Sequence, residues 1–155
     1  GGDPSETALF ADALAIFDQL QARHGAVSVI GRSLGSGVAT YLASRRPVAR
    51  LLLVTPPDSA VALARRFYPV YPVGWLLKDR YESVRHAEAI SAPVLMLVAG
   101  QDRIVPREHS ERLAAAFADG QVVMRVIDAA GHNGISGYSA YWRAIREFLA
   151  DGGVE

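Results

Sequence analysis

Apolar positions along the chain follow two different periodicities. Leu9, Ala13, Ile16, Phe17 and Leu20 recur every three or four residues, the spacing that gathers side chains on one face of a helix. Four other stretches are short and almost continuously apolar: Val27 to Ile30, Arg50 to Val54, Val94 to Ala99 and Val122 to Ile127. They are too short for helices and predict strands, the first two buried on both faces of a sheet. Polar and turn-forming residues mark the boundaries. Asp3-Pro4-Ser5-Glu6 reads as a helix start, with Asp3 as the cap, Pro4 in the first turn and Glu6 completing a capping box; Gly25 is the stop. Further helices are predicted from about Gly35 to Ser44, from Ala60 to Phe67, from Arg107 to Ala118, and from Ser139 to Ala150. The last of these is read as carrying Trp142, Ile145, Phe148 and Leu149 inward.

Apolar strands alternating with amphipathic helices predict an α/β fold, a mostly parallel sheet with helices on both faces, in one domain spanning residues 1–155. Residues 58–92 are less regular. Within them Phe67 to Leu77 (FYPVYPVGWLL) is rich in aromatics and prolines, and reads either as a wall of an apolar site, with Trp75 and Leu77, or as a rigid excursion packed on the sheet.

Composition changes this picture only by exclusion. Half the residues are hydrophobic and 21% are charged, a globular balance. Sixteen basic side chains match sixteen acidic ones, so no net field favours nucleic acid or an anionic membrane. With no cysteine, a disulfide, a thiolate metal site and a cysteine nucleophile are all excluded. No apolar run approaches the roughly 20 residues of a membrane-spanning helix.

In a parallel sheet, chemistry gathers where strands end and helices begin. Gly31-Arg32-Ser33-Leu34-Gly35 lies at such a point, a G-x-S-x-G directly after a strand and before a helix. A sharp strand-to-helix turn strains the serine backbone and projects its hydroxyl, and close packing is expected to demand glycine at both Gly31 and Gly35. The Leu34 N–H, at the helix start, is placed to stabilise a developing oxyanion. The bland reading is a glycine-rich turn that packs helix on sheet. Phosphate binding fits poorly, because the Walker lysine is absent.

A serine hydroxyl needs a base. His24, His86 and His109 sit on charged or amphipathic stretches and read as solvated. His132 lies in Ala130-Gly131-His132-Asn133-Gly134, a loop following the fourth strand, at the same sheet edge as Ser33. Among carboxylates, Asp102 follows the third strand directly and is favoured to orient the histidine. Asp128 reads as turn-forming and Asp58 as a helix cap.

These segments resemble the α/β-hydrolase superfamily, and within it the Bem46-like branch that includes protein depalmitoylases. The resemblance is carried by VIGRSLGSGVA (29–39), TPPDS (55–59), LLKDRYES (76–83), APVLMLVAGQDRIVP (92–106) and the Gly131-His132-Asn133 triplet. It implies Ser33 as nucleophile, Asp102 as acid, His132 as base and Leu34 as oxyanion-hole donor, with Gly31 and Gly35 framing the elbow. It implies no metal and no cofactor. The expected substrate is a small acyl ester or thioester, lipidated ones included; a serine peptidase and a non-catalytic binding module of the same fold are the alternatives. Pro57 departs from the pattern, which would place an aromatic there. The resemblance also implies several strands upstream of the nucleophile strand, whereas 26 residues precede Val27 here. The chain is therefore expected to be the C-terminal part of such a domain, with an exposed edge at its first strand, the second oxyanion donor missing, and little or no activity alone. Any membrane contact is expected through an upstream segment, leaving a cytoplasmic or membrane-associated location open.

Overall fold

A computed structural model describes residues 5–150. The order of elements is α1 (Glu6–His24), β1 (Val29–Arg32), α2 (Gly35–Arg45), β2 (Leu51–Val54), α3 (Ala60–Phe67), α4 (Val73–Leu76), α5 (Val84–Ala87), β3 (Val94–Ala99), α6 (Arg107–Ala114), β4 (Val122–Ile127), a 3₁₀ turn (Ile135–Gly137) and α7 (Ser139–Ala150). The four strands form one parallel sheet in the order β1-β2-β3-β4, with Val29 opposite Leu51, Leu51 opposite Val94, and Val94 opposite Val122. Side chains on β2 and β3 alternate between two apolar layers. Leu51, Leu53, Val94 and Met96 pack with Phe17, Leu42, Leu113 and Phe117 on one face. Leu52, Val54, Leu95 and Leu97 pack with Ile127, Ile145 and Phe148 on the other. Helices thus cover both faces of the central strands.

The edges depart from the sequence reading. The first strand runs two residues later than Val27 to Ile30, because pairing with β2 continues through Gly31 and Arg32. It is the exposed edge strand expected for the first strand of this chain, and Ile30 is 54% exposed. Leu9, Ile16 and Leu20 of α1 are exposed as well, and Phe17 is the residue of that helix that reaches the core. Ile16, Phe17 and Leu20 border an open apolar groove of about 360 Å³ with Val27, Ile30 and Val38. On α7 the inward positions are Tyr141, Ile145 and Phe148; Trp142 and Leu149, one residue further along, rotate outward. Helix α6 stops at Ala114 and continues as tight turns rather than reaching Ala118.

Side-chain hydrogen bonds also revise the expected caps. Asp3 and Pro4 lie outside the described residues. Ser5 caps α1, its hydroxyl accepting from Ala8 N–H at 3.2 Å. The Glu6 carboxylate does not close a capping box; it accepts from Arg80 N–H and Tyr81 N–H at 2.7 and 3.1 Å. Asp58 is not the cap of α3, a role taken by Ser59. Instead the Asp58 carboxylate accepts from His109 Nδ1 at 2.6 Å and Arg112 Nε at 2.7 Å, joining the end of β2 to α6. His109 is therefore a buried residue, 5% exposed, rather than a solvated one. His86 is half-buried against the Tyr41 ring, and burial lowers its pKa from the ordinary histidine value.

Between β1 and α2 the backbone turns through Ser33, which holds a φ of 51° in the left-handed region. A Cβ at Gly31 would lie 2.6 Å from Ala39 Cβ and 2.7 Å from Gly35 O, so a side chain there collides with the helix it must pack against. Gly35 has open space around its Cβ position among the described residues, contrary to the expectation that both glycines are sterically required.

Two outcomes follow. Gly31→Ala in the complete protein should cost about 1–3 kcal/mol or more in denaturant unfolding, whereas Gly35→Ala, in the first turn of α2, should be neutral or slightly stabilising. For Asp58, burial pushes the carboxyl pKa up, but hydrogen bonds from His109 and Arg112 outweigh it and hold the group below the ordinary carboxylate range. Its ionised form therefore stabilises the fold above the unfolded value of about 3.9, and that contribution is lost as pH falls through the depressed folded value. Asp58→Asn should cost about 2–3 kcal/mol at neutral pH, with the gap from wild type closing in acid; a gap that is constant with pH would contradict the ion-pair assignment.

Candidate active site

The C-terminal ends of β1, β3 and β4 each deliver one polar side chain to a common point. Ser33 comes directly off β1, its N–H donating to Val54 O at 2.9 Å, so the turn is anchored to the neighbouring strand. Asp102 lies three residues past β3. Its Oδ1 accepts from Ile104 N–H and Val105 N–H at 2.9 and 2.8 Å, which fixes the carboxylate within its own loop and leaves Oδ2 free. His132 lies five residues past β4, and its Nδ1 sits 2.7 Å from Asp102 Oδ2. The other ring nitrogen, Nε2, is 3.0 Å from Ser33 Oγ.

Backbone contacts explain why loops 30 residues apart in sequence meet. After β3 and β4 the chains stay in register: Gly100 N–H donates to Ile127 O at 3.0 Å and Gln101 N–H to Ala130 O at 2.9 Å. A Cβ at Gly100 would fall 2.6 Å from Asp128 Cα, so only glycine permits this approach. Tyr138 Oη, donating to Ala129 O at 2.8 Å, holds the far side of the histidine loop. Arg32 holds the near side: its Nη2 donates to His132 O at 3.0 Å and Asn133 O at 3.1 Å. The elbow is thereby tied to the histidine loop through the residue before the serine. Sequence reading passed over Arg32, as one variable position of the motif.

Electrostatics favour one tautomer. The Asp102 side chain is 1% exposed and that of His132 9%. Asp102 Oδ1 already accepts from two backbone N–H groups and Oδ2 faces Nδ1, a placement that favours the tautomer with the His132 proton on Nδ1, directed at Asp102. Nε2 is then an acceptor for the Ser33 hydroxyl. Such an arrangement can take a proton from an alcohol and stabilise the imidazolium that results. The Leu34 N–H, at the start of α2, donates to no acceptor among the described residues.

Beside Ser33 lies a mostly apolar hollow of about 190 Å³, lined by Ser33, Leu34, Pro57, Leu63, Ala64 and Phe67 with Ala60. The wall is therefore built by α3 and Pro57. Of the segment from Phe67 to Leu77, Phe67 alone lines this hollow; Leu77 borders an adjoining groove, and Trp75 points to solvent with 95% exposure. Both sequence readings of Trp75, as a wall of the site or as packing on the sheet, are thus corrected. The apolar positions Ala60, Leu63, Ala64 and Phe67, at helical spacing on α3, are the sequence signal that could have pointed to this wall.

Residues 69–155 match the family described as TAP-like protein, an α/β-hydrolase family. The uncharacterized protein Rv2307c of Mycobacterium tuberculosis is 37% identical over 159 residues, covering 99% of this chain and 56% of that protein. The mouse alpha/beta hydrolase domain-containing protein 17C is 27% identical over 157 residues, covering 96% of this chain and 46% of its own. The chain thus spans about half the length of the curated relatives it matches. Among solved structures, the monoacylglycerol lipase of Paleococcus ferrophilus superposes with a TM-score of 0.66 at 23% identity, over 92% of this chain and 75% of the lipase. By family match, sheet topology and structural likeness together, the chain belongs to the TAP-like family of the α/β-hydrolase superfamily.

Proposed function

We propose that the complete protein is a serine hydrolase that cleaves carboxylic ester or thioester bonds through an acyl-enzyme on Ser33. The observation that carries this reading is the continuous hydrogen-bonded line from Asp102 through His132 to Ser33, at 2.7 and 3.0 Å. As Ser33 Oγ attacks the carbonyl carbon, its proton passes to His132 Nε2, and Asp102 stabilises the imidazolium. The oxyanion is stabilised by the Leu34 N–H at the positive end of α2. Collapse of the tetrahedral intermediate expels the alcohol or thiol, which takes the proton from Nε2. Water then attacks the acyl-enzyme, giving its proton to His132, and Ser33 is regenerated with release of the acid. The hollow between Pro57 and α3 suits a short or kinked acyl chain beside the nucleophile. The apolar wall and the lipase likeness favour acyl esters over peptides.

A fluorophosphonate probe tests the nucleophile. The complete protein should label, Ser33→Ala should not, and His132→Ala should lose about four orders of magnitude in p-nitrophenyl ester turnover. Unlabelled wild type would leave a binding module of this fold; faster cleavage of peptide p-nitroanilides than of acyl esters would make it a peptidase. Arg32 gives a separate outcome. Arg32→Ala should lower kcat with little change in KM, since the guanidinium holds the histidine loop and touches no substrate, and Arg32→Lys should recover only part of it because two carbonyls must be met at once. Loss through KM alone would contradict a positioning role.

A further inference from the structure

Among the described residues, exposed apolar side chains concentrate in the stretch 67–76. Trp75 is 95% and Val70 86% exposed, and Phe67, Tyr68, Tyr71 and Leu76 each show half or more of their surface to solvent. Six large apolar side chains thus fall within ten residues, 67–76, far more than the scattered exposure usual on a soluble domain. Their outward display is built in. Arg80 Nη1 donates to Gly74 O at 3.0 Å, and the Arg65 guanidinium lies against Gly74, so α4 is held on α3 with Val73 buried and Trp75 turned away. Tyr68 and Tyr71 meet edge to face at 6.4 Å, which stiffens the loop between the helices.

Charge distribution identifies what this surface suits. Over the whole chain acidic and basic residues cancel, yet between Asp58 and Asp79 there is no carboxylate, while Arg65, Arg66 and Lys78 are all exposed. Of the acids that border this stretch, Glu82 pairs with Arg80 and Arg85, while Asp79 and Glu6 accept from backbone N–H groups at the base of the segment, away from the Arg65–Arg66 end. Aromatic and aliphatic side chains flanked by exposed cations are the composition of a surface that lies in the headgroup region of an anionic bilayer. No helix among the described residues is long and apolar enough to cross a membrane, so contact would be at the interface. We infer that residues 65–78 form a docking surface for an anionic lipid membrane, presented by the chain itself beside the Ser33 hollow, whose wall shares Phe67 with it. This reading is independent of hydrolysis: docking needs neither Ser33 nor His132.

Vesicle co-sedimentation of the complete protein tests it, with Ser33→Ala run in parallel so that a failure of the hydrolase reading does not obscure the result. Binding should be stronger to phosphatidylcholine vesicles containing roughly a third phosphatidylserine than to phosphatidylcholine alone, and should weaken with salt. The double variant Arg66→Gln/Lys78→Gln should lose about thirtyfold in affinity for the anionic vesicles. Trp75→Ala/Leu76→Ala should also release the protein, and both pairs are exposed enough to leave folding intact. Chain tryptophans are Trp75 and Trp142, so in a Trp142→Phe background, with any tryptophan upstream also replaced, the emission of Trp75 should shift to the blue on adding anionic vesicles. Equal binding to both vesicle types, an unshifted Trp75, or wild-type affinity in the Arg66/Lys78 variant would each overturn the proposal. A dimer that dissociates on Trp75→Ala, without vesicle binding, would assign the face to a second copy and equally overturn it.

Discussion

One imidazole placed between oxygens from two other strands is the constraint on which the sheet edge depends. His132 can meet both Asp102 and Ser33 only if three separate loops end within a few tenths of an ångström of their required positions. Each loop is fixed by means that do not involve the imidazole. Ser33 is held by a strained turn and a backbone bond to β2, Asp102 by two N–H groups of its own loop, and His132 by the zipped backbones after β3 and β4 and by the Arg32 guanidinium. The hydrogen bonds between the three side chains are thus a result of geometry set elsewhere. Such preorganisation is what a proton-transfer site requires, because reorganising it during a reaction would cost part of the barrier lowering.

Rigidity beneath the edge comes from the two central strands. β2 and β3 are buried along their whole length and send alternate side chains into both apolar layers. The Asp58–His109–Arg112 cluster adds a polar tie between the end of β2 and α6, and so relates the Pro57 side of the hollow to the helix that follows the Asp102 loop. A buried carboxylate with two cationic or polar donors is costly to desolvate but expensive to break once formed. It limits how far the hollow and the Asp102 loop can drift apart.

Much of this was legible in the amino-acid sequence, for identifiable reasons. Short apolar runs such as Leu51–Val54 and Val94–Ala99 have no other stable outcome than buried strands, and Ser33, Asp102 and His132 each follow one such run, so a parallel sheet brings them to one edge. Information was lost where a residue's surroundings come from distant chain. Apolar periodicity in α1 and α7 gives a face but not its covering: Ile16 is exposed on the apolar face of α1, and Trp142 and Leu149, read as inward, are exposed on α7. His109 sits among charged neighbours in sequence, and only the approach of Asp58, 51 residues away, makes it a buried partner. Gly35 looked as constrained as Gly31 because the motif is symmetrical; the packing is not. Nothing local distinguishes an aromatic that lines a pocket from one that faces solvent, which is why Trp75 was misplaced.

On the proposed reading, Ser33 becomes covalently acylated because His132 removes its proton. Rapid acid quench of the complete protein during turnover of a p-nitrophenyl ester, followed by intact and peptide mass spectrometry, tests that claim most directly. The expected result is a transient mass increase equal to the acyl group, located on the peptide bearing Ser33 and absent when His132 is replaced by alanine. Steady turnover with no adduct at Ser33, or an adduct that forms equally well without His132, would contradict it.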